Sequence, residues 1–175
     1  MKRIFAAALF AVAVTILFSS PVAAQNTRTF SLGPSSTITP ASQGFDASGV
    51  PTYFGGLVAG QVVATNPTTF TLSVAFRSTG VIDSVAGIYG GEILTSPAYS
   101  SFAVTEASGR KSVSTSGSID AGTVTYRLLA DGRAEIISVV SNNLTVWEGK
   151  NKRRAAVGTG TLNYGPGAGT ITLTF

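Results

Sequence analysis

The chain has 175 residues, of which only 11% are charged, and it contains no Cys and no His. It therefore cannot build disulfides, Ser-His or Cys-His nucleophile pairs, or zinc sites with those ligands. The net charge is +4, and it falls to +2 without Lys2 and Arg3, which lie in the N-terminal segment that we expect to be cleaved. A charge of +2 is too small to indicate a nucleic-acid partner.

The first 24 residues have the layout of a secretory signal peptide. Two basic residues precede an apolar run over residues 4–18, and small residues follow up to Ala24. We expect cleavage after Ala24, so that residues 1–24 are removed. The apolar run is shorter than the roughly 20 residues that a membrane-spanning helix needs, and no second long run follows. The sequence thus predicts a secreted or periplasmic protein with no transmembrane helix in the mature chain.

Residues 25–51 are rich in Ser, Thr, Gly and Pro and have only weak periodicity. This composition is typical of turns and irregular chain. We therefore expect an irregular N-terminal segment over 25–51 and a single all-β domain over 52–175.

Apolar and polar residues alternate over 69–77, 123–128 and 170–175. Such a two-residue period is typical of strands with one buried face. The residues predicted to be buried are Phe70, Leu72, Val74, Phe76, Val124, Tyr126, Leu128, Ile171 and Leu173.

Turn signals separate the strand-like runs. Asp131-Gly132 lies between two of them and predicts a hairpin. Asp120-Ala121-Gly122 and Ser141-Asn142-Asn143 predict further turns. Because no stretch has a sustained helical period, we expect an antiparallel meander of about eight to ten strands, forming a small β-barrel or a β-sandwich. A hollow barrel would hold a small apolar ligand, whereas a filled one would not.

Carboxylates are the main remaining candidates for acid–base chemistry. Asp83 and Glu92 lie in apolar, Gly-rich sequence and form the pair worth considering for glycoside hydrolysis, which needs two facing carboxyl groups. The alternative is a surface charge paired with Arg77 or Arg127 across a sheet. No calcium-binding pattern occurs. We therefore predict no catalytic residues, no metal site and no cofactor, with a carboxylate-based secreted enzyme as one alternative.

The basic residues Lys150, Lys152, Arg153 and Arg154 form the main charge cluster and follow Trp147, the only Trp of the chain. A basic loop beside an aromatic side chain is suited to an anionic glycan or a lipid head group. The alternative is a solvated loop that keeps a sheet edge soluble. These five residues are the predicted binding site.

The last strand, with Ile171, Leu173 and terminal Phe175, resembles the C-terminal signature of bacterial outer-membrane β-barrels. The resemblance covers about six residues and implies a small outer-membrane β-barrel as the first alternative, ahead of the carboxylate-based enzyme. The favoured function is an exported, non-catalytic β-domain with a binding or structural role at the cell envelope or outside the cell.

Overall fold

The structure, a computed structural model, describes residues 26–64, 68–95, 100–108, 111–150, 153–165 and 168–174. Within these ranges the chain is mostly β-strand and contains no helix, which confirms the predicted all-β class. The strands are β1 (Thr27–Thr39), β2 (Ser42–Phe45), β3 (Pro51–Val63), β4 (Thr68–Asp83), β5 (Ile88–Ile93), β6 (Ser101–Ser108), β7 (Lys111–Leu128), β8 (Ala134–Lys150), β9 (Arg153–Gly165) and β10 (Ala168–Thr174). A helix of the length and apolarity required to cross a bilayer is not found in these ranges. The predicted signal peptide lies outside the described residues.

The strands form one antiparallel, ring-like sheet. Strands β3, β1, β10, β9, β8 and β7 are neighbours in that order, β7 pairs with both β5 and β6, both of these pair with β4, and β4 pairs with β3. Strands β5 and β6 lie end to end, because β6 pairs with the first half of β4 and β5 with its second half. Following the pairings from β3 thus leads back to β3.

The interior of this ring is packed with apolar side chains. Along β4, Phe70 and Leu72 are buried while Thr69 and Thr71 are exposed, and the inward side chains of the other strands join the same core. Of the nine residues predicted to be buried, eight are at most 1% exposed. The prediction for Leu128 is wrong, since it is 39% exposed. It is the last residue of β7 and borders the following turn, where the core ends.

Strands β1 and β2 lie within the segment 25–51, so the expectation of irregular chain is wrong for 27–39 and 42–45. Strand β1 pairs with β10 on one side and with β3 on the other, in the same sheet as the strands of 52–175. Its register shifts between Leu32 and Ser36, around Gly33-Pro34. This irregularity interrupts the two-residue period and hides the strand in the sequence.

The predicted hairpin at Asp131-Gly132 is confirmed. Strand β7 ends at Leu128, β8 begins at Ala134, and Gly132 has a φ of 82°. This left-handed conformation suits glycine because glycine has no Cβ.

The other two predicted turns are wrong, because both segments lie inside continuous strands. Ala121 in β7 pairs with Asn143 in β8, and the register shifts on both sides of that pair. Ser141 is 2% exposed, and its hydroxyl donates to the Ala121 carbonyl at 2.6 Å and accepts from the Asn143 amide at 3.1 Å. Bulges use the same small and polar residues as turns, and here they bend two long strands together instead of ending them.

The two ends of the ring are closed differently. Where β3 and β8 begin, Ala41 and Ala134 exchange two main-chain hydrogen bonds of 2.8 and 2.9 Å, and both residues are fully buried. At the opposite end, Arg28 and Glu106 form an ion pair. Arg28 lies two residues from buried Phe30 in β1, and Glu106 lies two residues from buried Val104 in β6. Both side chains are therefore on the inner face of the sheet, and the pair lies over the end of the core.

An aromatic cluster fills the core near the end closed by Ala41. The ring centroid of Tyr126 lies 5.0 Å from that of Tyr53, 4.9 Å from that of Phe76 and 5.5 Å from that of Tyr89. The Tyr126 hydroxyl donates to Ser78 Oγ at 2.9 Å. Burial raises the pKa of Tyr53 to about 12, which keeps this hydroxyl protonated at all physiological pH values.

Candidate functional site

The predicted basic cluster lies at the β8–β9 hairpin. Lys150 pairs with Arg153, and Gly149 pairs with Arg154, so these three basic residues occupy the ends of two neighbouring strands. Lys152 lies outside the described residues. The register places two cationic residues directly opposite each other, an arrangement that destabilises a strand pair.

Strand pairing brings further basic residues to the same end of the ring. Strands β1, β7 and β9 begin there, and β6, β8 and β10 end there. We define the basic end as these strand ends. Among the described residues it contains five basic residues and two acidic ones, Glu106 and Glu148. The basic residues are Arg28, Lys111, Lys150, Arg153 and Arg154.

The sequence does not reveal Arg28 and Lys111 as members of this group. They are far from residue 150 in the chain, and only the pairing of β1 with β10, and of β7 with β8, brings them to the same end. No local signal in the sequence reports such a juxtaposition.

We call the opposite half of the ring the acidic half, because its acidic residues outnumber its basic ones. Its basic residues are Arg77, Arg127 and Arg133, and its acidic residues are Asp46, Asp83, Glu92, Asp131 and Glu135. Each of these three arginines has a carboxylate partner: Arg77 pairs with Asp46 at 2.8 Å, Arg133 with Asp131 at 2.7 Å and Arg127 with Glu135 at 3.4 Å.

Two of these carboxylates are also held by main-chain amides. The amides of Val50 and Ser48 donate to Asp46, and with Arg77 they lower the pKa of that carboxyl below its usual value. The amide and guanidinium of Arg133 lower the pKa of Asp131 in the same way. The charges of the acidic half are thus largely used in local structure.

Trp147 lies on the outward side of β8, close to the basic end, and lines a groove of about 440 Å³ in the outer face of the sheet. The strand register explains the groove. Trp147 of β8 lies opposite Ser116 of β7, Ser116 lies opposite Ala103 of β6, and Ala103 lies opposite Thr71 of β4. The floor is therefore made of small side chains, and Leu57 lies at the other side. The groove offers hydroxyl groups beside one aromatic ring.

A carboxylate lies next to this groove. Asp120 accepts hydrogen bonds from Ser118, which lines the groove, and from Thr145 of β8. The sequence assigns Asp120 to a turn, but the structure places it inside β7. Its fixed position adds an acceptor near the hydroxyl-rich floor.

The structure does not bring Asp83 and Glu92 together. Asp83 accepts from the amides of Val85 and Ala86 at 2.9 and 3.0 Å and so shapes the β4–β5 turn. Glu92 is opposite Arg77, four residues along β5 from the partner of Asp83. Four residues of strand span about 13 Å, more than the separation of a glycosidase pair.

In the described ranges, no group of three or more carboxylates is placed to hold a metal ion. Comparison with protein-family models, with curated proteins and with solved structures finds no match for this chain. A function is therefore argued from the residues of the chain itself.

Proposed function

We propose that this protein is an exported, non-catalytic β-domain that binds an anionic glycan at its basic end, with Trp147 and the adjoining groove as part of the site. One observation supports the proposal most strongly: three segments that are distant in the sequence bring five described basic residues to one end of the ring, against two acidic ones.

The charge of the basic end supports the proposal. Its five described basic residues outnumber its two acidic ones, so this end has an excess of positive charge. Lys150 lies opposite Arg153, and two like charges in this arrangement destabilise a strand pair. A loop that only connects two strands gains nothing from this arrangement, whereas a binding site for an anion does. A polyanion contacts several such charges at once, whereas exposed charges acting singly contribute little.

The groove beside Trp147 also supports a glycan as the ligand. Sugar rings present apolar faces that pack on an aromatic ring and hydroxyl groups that bond to Ser and Thr side chains. Trp147 offers the ring, and Thr71, Ser73, Ser101 and Ser116 offer hydroxyls. A lipid head group would not fill an extended, hydroxyl-lined groove, and this favours a glycan as the ligand.

The distribution of side chains over the two faces of the sheet favours this proposal over the alternatives. A membrane barrel presents an apolar band outward, whereas here the apolar side chains face inward and the outward positions of β4 and β10 carry Thr and Ser. A packed interior also favours the outer surface as the site of a ligand. The separation of Asp83 from Glu92 removes the best candidate pair for an enzyme.

Binding to a sulfated or uronic-acid polysaccharide tests the proposal. Trp147 is the only Trp, so its fluorescence reports directly on the groove. We expect retention on heparin-like resin at low salt and a change in Trp fluorescence on titration with the soluble polysaccharide. Replacing Lys150, Lys152, Arg153 and Arg154 by Ser should weaken retention and reduce its salt dependence.

The matched control replaces Arg127 and Arg133 by Ser in the acidic half, which should leave retention unchanged. Trp147→Ala should weaken binding about tenfold or more while leaving its salt dependence as it is. Unchanged retention of the four-Ser variant at low salt contradicts the proposal. Binding to anionic vesicles without binding to polysaccharide would assign the site to a lipid head group instead.

A further inference from the structure

A line of hydroxyl side chains crosses seven strands of the ring, with one residue from each strand. Each member lies directly opposite the next in the strand register, from β4 through β6, β7, β8, β9 and β10 to β1. Because neighbouring strands lie about 4.8 Å apart, the line spans about 29 Å. We call it the hydroxyl belt, and its members are Ser73, Ser101, Ser118, Thr145, Thr159, Thr174 and Thr27.

The belt lies on the outer face of the sheet and is continuous with the groove beside Trp147. In β8, for example, Thr145 stands between two residues whose side chains are buried in the core. The members from β4, β6 and β7 line the groove together with Trp147. At the far end of the belt, the hydroxyl oxygens of Thr27 and Thr174 lie 3.5 Å apart. The belt therefore extends the hydroxyl-lined surface from the groove to the first strand.

Asp120 connects two members of the belt. Its carboxylate accepts hydrogen bonds from the hydroxyls of Ser118 in β7 and Thr145 in β8. None of the ion pairs among the described residues includes Asp120. A carboxylate has about four acceptor positions and a hydroxyl has two acceptor lone pairs and one donor. These three side chains, which we call the acceptor cluster, thus keep free acceptors but have used their donors on each other.

The position of Trp147 indicates which ligand fits the acceptor cluster. Trp147 is two residues from Thr145 on the same face of β8, which is a distance of about 7 Å. A sugar unit that packs on the indole can therefore direct hydroxyl groups at Asp120. Hydroxyl groups donate strong hydrogen bonds to a carboxylate, whereas an anionic group on the sugar would be repelled by it. The acceptor cluster thus favours a neutral sugar unit.

We propose that the glycan chain lies across the strands along the hydroxyl belt, with a neutral sugar unit on Trp147 that donates hydrogen bonds to Asp120. This inference rests on the proposed function, because it concerns the same glycan and the same groove. It adds that two parts of the surface bind different parts of the chain. The basic end binds anionic groups, and the belt binds neutral units, so the glycan contains both.

Titration with neutral oligosaccharides, followed by the fluorescence of Trp147, tests this inference. The probes are cellohexaose, mannohexaose and xylohexaose, and we expect at least one of them to bind. Its affinity should be independent of salt and at least about tenfold higher than that of the corresponding disaccharide, which contacts only part of the belt. The four-Ser variant of the basic end should bind this probe as the wild type does.

Replacing Asp120 gives opposite results with the two kinds of ligand. Asp120→Asn should lower the affinity for the neutral probe about tenfold or more, because hydrogen bonds to a charged acceptor are stronger than those to a neutral one. The same variant should be retained on heparin-like resin at least as strongly as the wild type, since it removes a negative charge beside the groove. Glu135→Gln is the matched control, because it removes the same charge in the acidic half and should leave binding of the neutral probe unchanged.

A second variant tests the belt away from the acceptor cluster. Thr159 is exposed, and Thr159→Val removes its hydroxyl with little change in shape. We expect the affinity for the neutral probe to fall about threefold. Thr39→Val is the matched control at an exposed position of β1, twelve residues from the belt member Thr27, and should have no effect. Circular dichroism and thermal unfolding check that all variants fold.

Three results would overturn the inference: no binding of any neutral probe, an unchanged affinity in Asp120→Asn, or equal losses in Thr159→Val and Thr39→Val. Binding of a neutral probe without retention on heparin-like resin would reject the anionic ligand of the proposed function and leave the belt as a binding surface. Retention on the resin without binding of any neutral probe would leave the proposed function and reject the belt.

Discussion

The two ends of the ring meet the same requirement, closing an apolar core, by different means. In the acidic half, Ala41 and Ala134 close the core through main-chain hydrogen bonds over a cluster of four aromatic rings. At the basic end, one ion pair between Arg28 and Glu106 lies over the core, and the side chains of both residues are about one-third exposed. The first closure is buried and the second is in contact with water.

This difference separates charges that support the fold from charges that are available to a partner. In the acidic half each arginine has a carboxylate partner, and Asp46, Asp83 and Asp131 also accept main-chain hydrogen bonds. Among the described residues of the basic end, the basic ones outnumber the acidic ones by three. A partner can use that excess without disrupting the pairs that stabilise the other half.

The largest effect on stability is expected in the buried closure. Phe76 is fully buried and packs against Tyr53 and Tyr126. Phe76→Ala should lower the free energy of unfolding by about 3–5 kcal/mol, because it removes a large buried side chain and leaves a cavity. Urea unfolding followed by circular dichroism measures this, and Val85→Ala, at an exposed position, is the control with little expected change. A loss below about 1 kcal/mol would mean that this half is loosely packed.

A smaller effect is expected at the basic end. Arg28→Met removes the ion pair with Glu106 but keeps an apolar side chain near Phe30. The free energy of unfolding should fall by less than about 1 kcal/mol, because partly exposed ion pairs are weakened by solvent. A double-mutant cycle with Glu106→Gln in low and high salt isolates the pair. A coupling of several kcal/mol that salt does not reduce would contradict the contrast between the two ends.

The smallest effect concerns acid stability in the acidic half. The pKa of Asp46 is lowered in the folded protein, chiefly by the Val50 amide, so its ionised form is favoured by folding. Its contribution is present above the unfolded value of 3.8 and is lost as the pH falls through the lower folded value. Asp46→Asn should therefore flatten the decline of stability below about pH 4, as followed by thermal unfolding at a series of pH values. Parallel curves for the two proteins would contradict this assignment.

The sequence predicts strands well where the two-residue period is regular. The alternation around Phe70 and around Ile171 is regular because each strand has one face on the core. The full length of the N-terminal strand β1 is not predicted because Gly33-Pro34 shifts its register, and the strand is completed by pairing with β3 and β10. Pairing over such distances leaves no local trace.

The bulges and the basic end are difficult to predict from the sequence for the same reason. The residues around Ala121 and Asn143 have the composition of turns, and only their position opposite each other makes them bends in two long strands. In the same way, residues 150–154 are visible as a cluster in the sequence, whereas the approach of Arg28 and Lys111 follows from strand order. Composition identifies the residues, and topology decides which of them lie together.

The pairing of the first strand with the last also governs when this protein can fold. Thr27 lies opposite Thr174, so the ring closes only after the C-terminal strand is available. Contacts between such distant parts of a chain form slowly, because a large loop must be ordered first. For a chain that is exported as we propose, late closure of the ring would favour translocation. The polypeptide would stay unfolded until its last strand has crossed the membrane, and the sheet would then close on the far side.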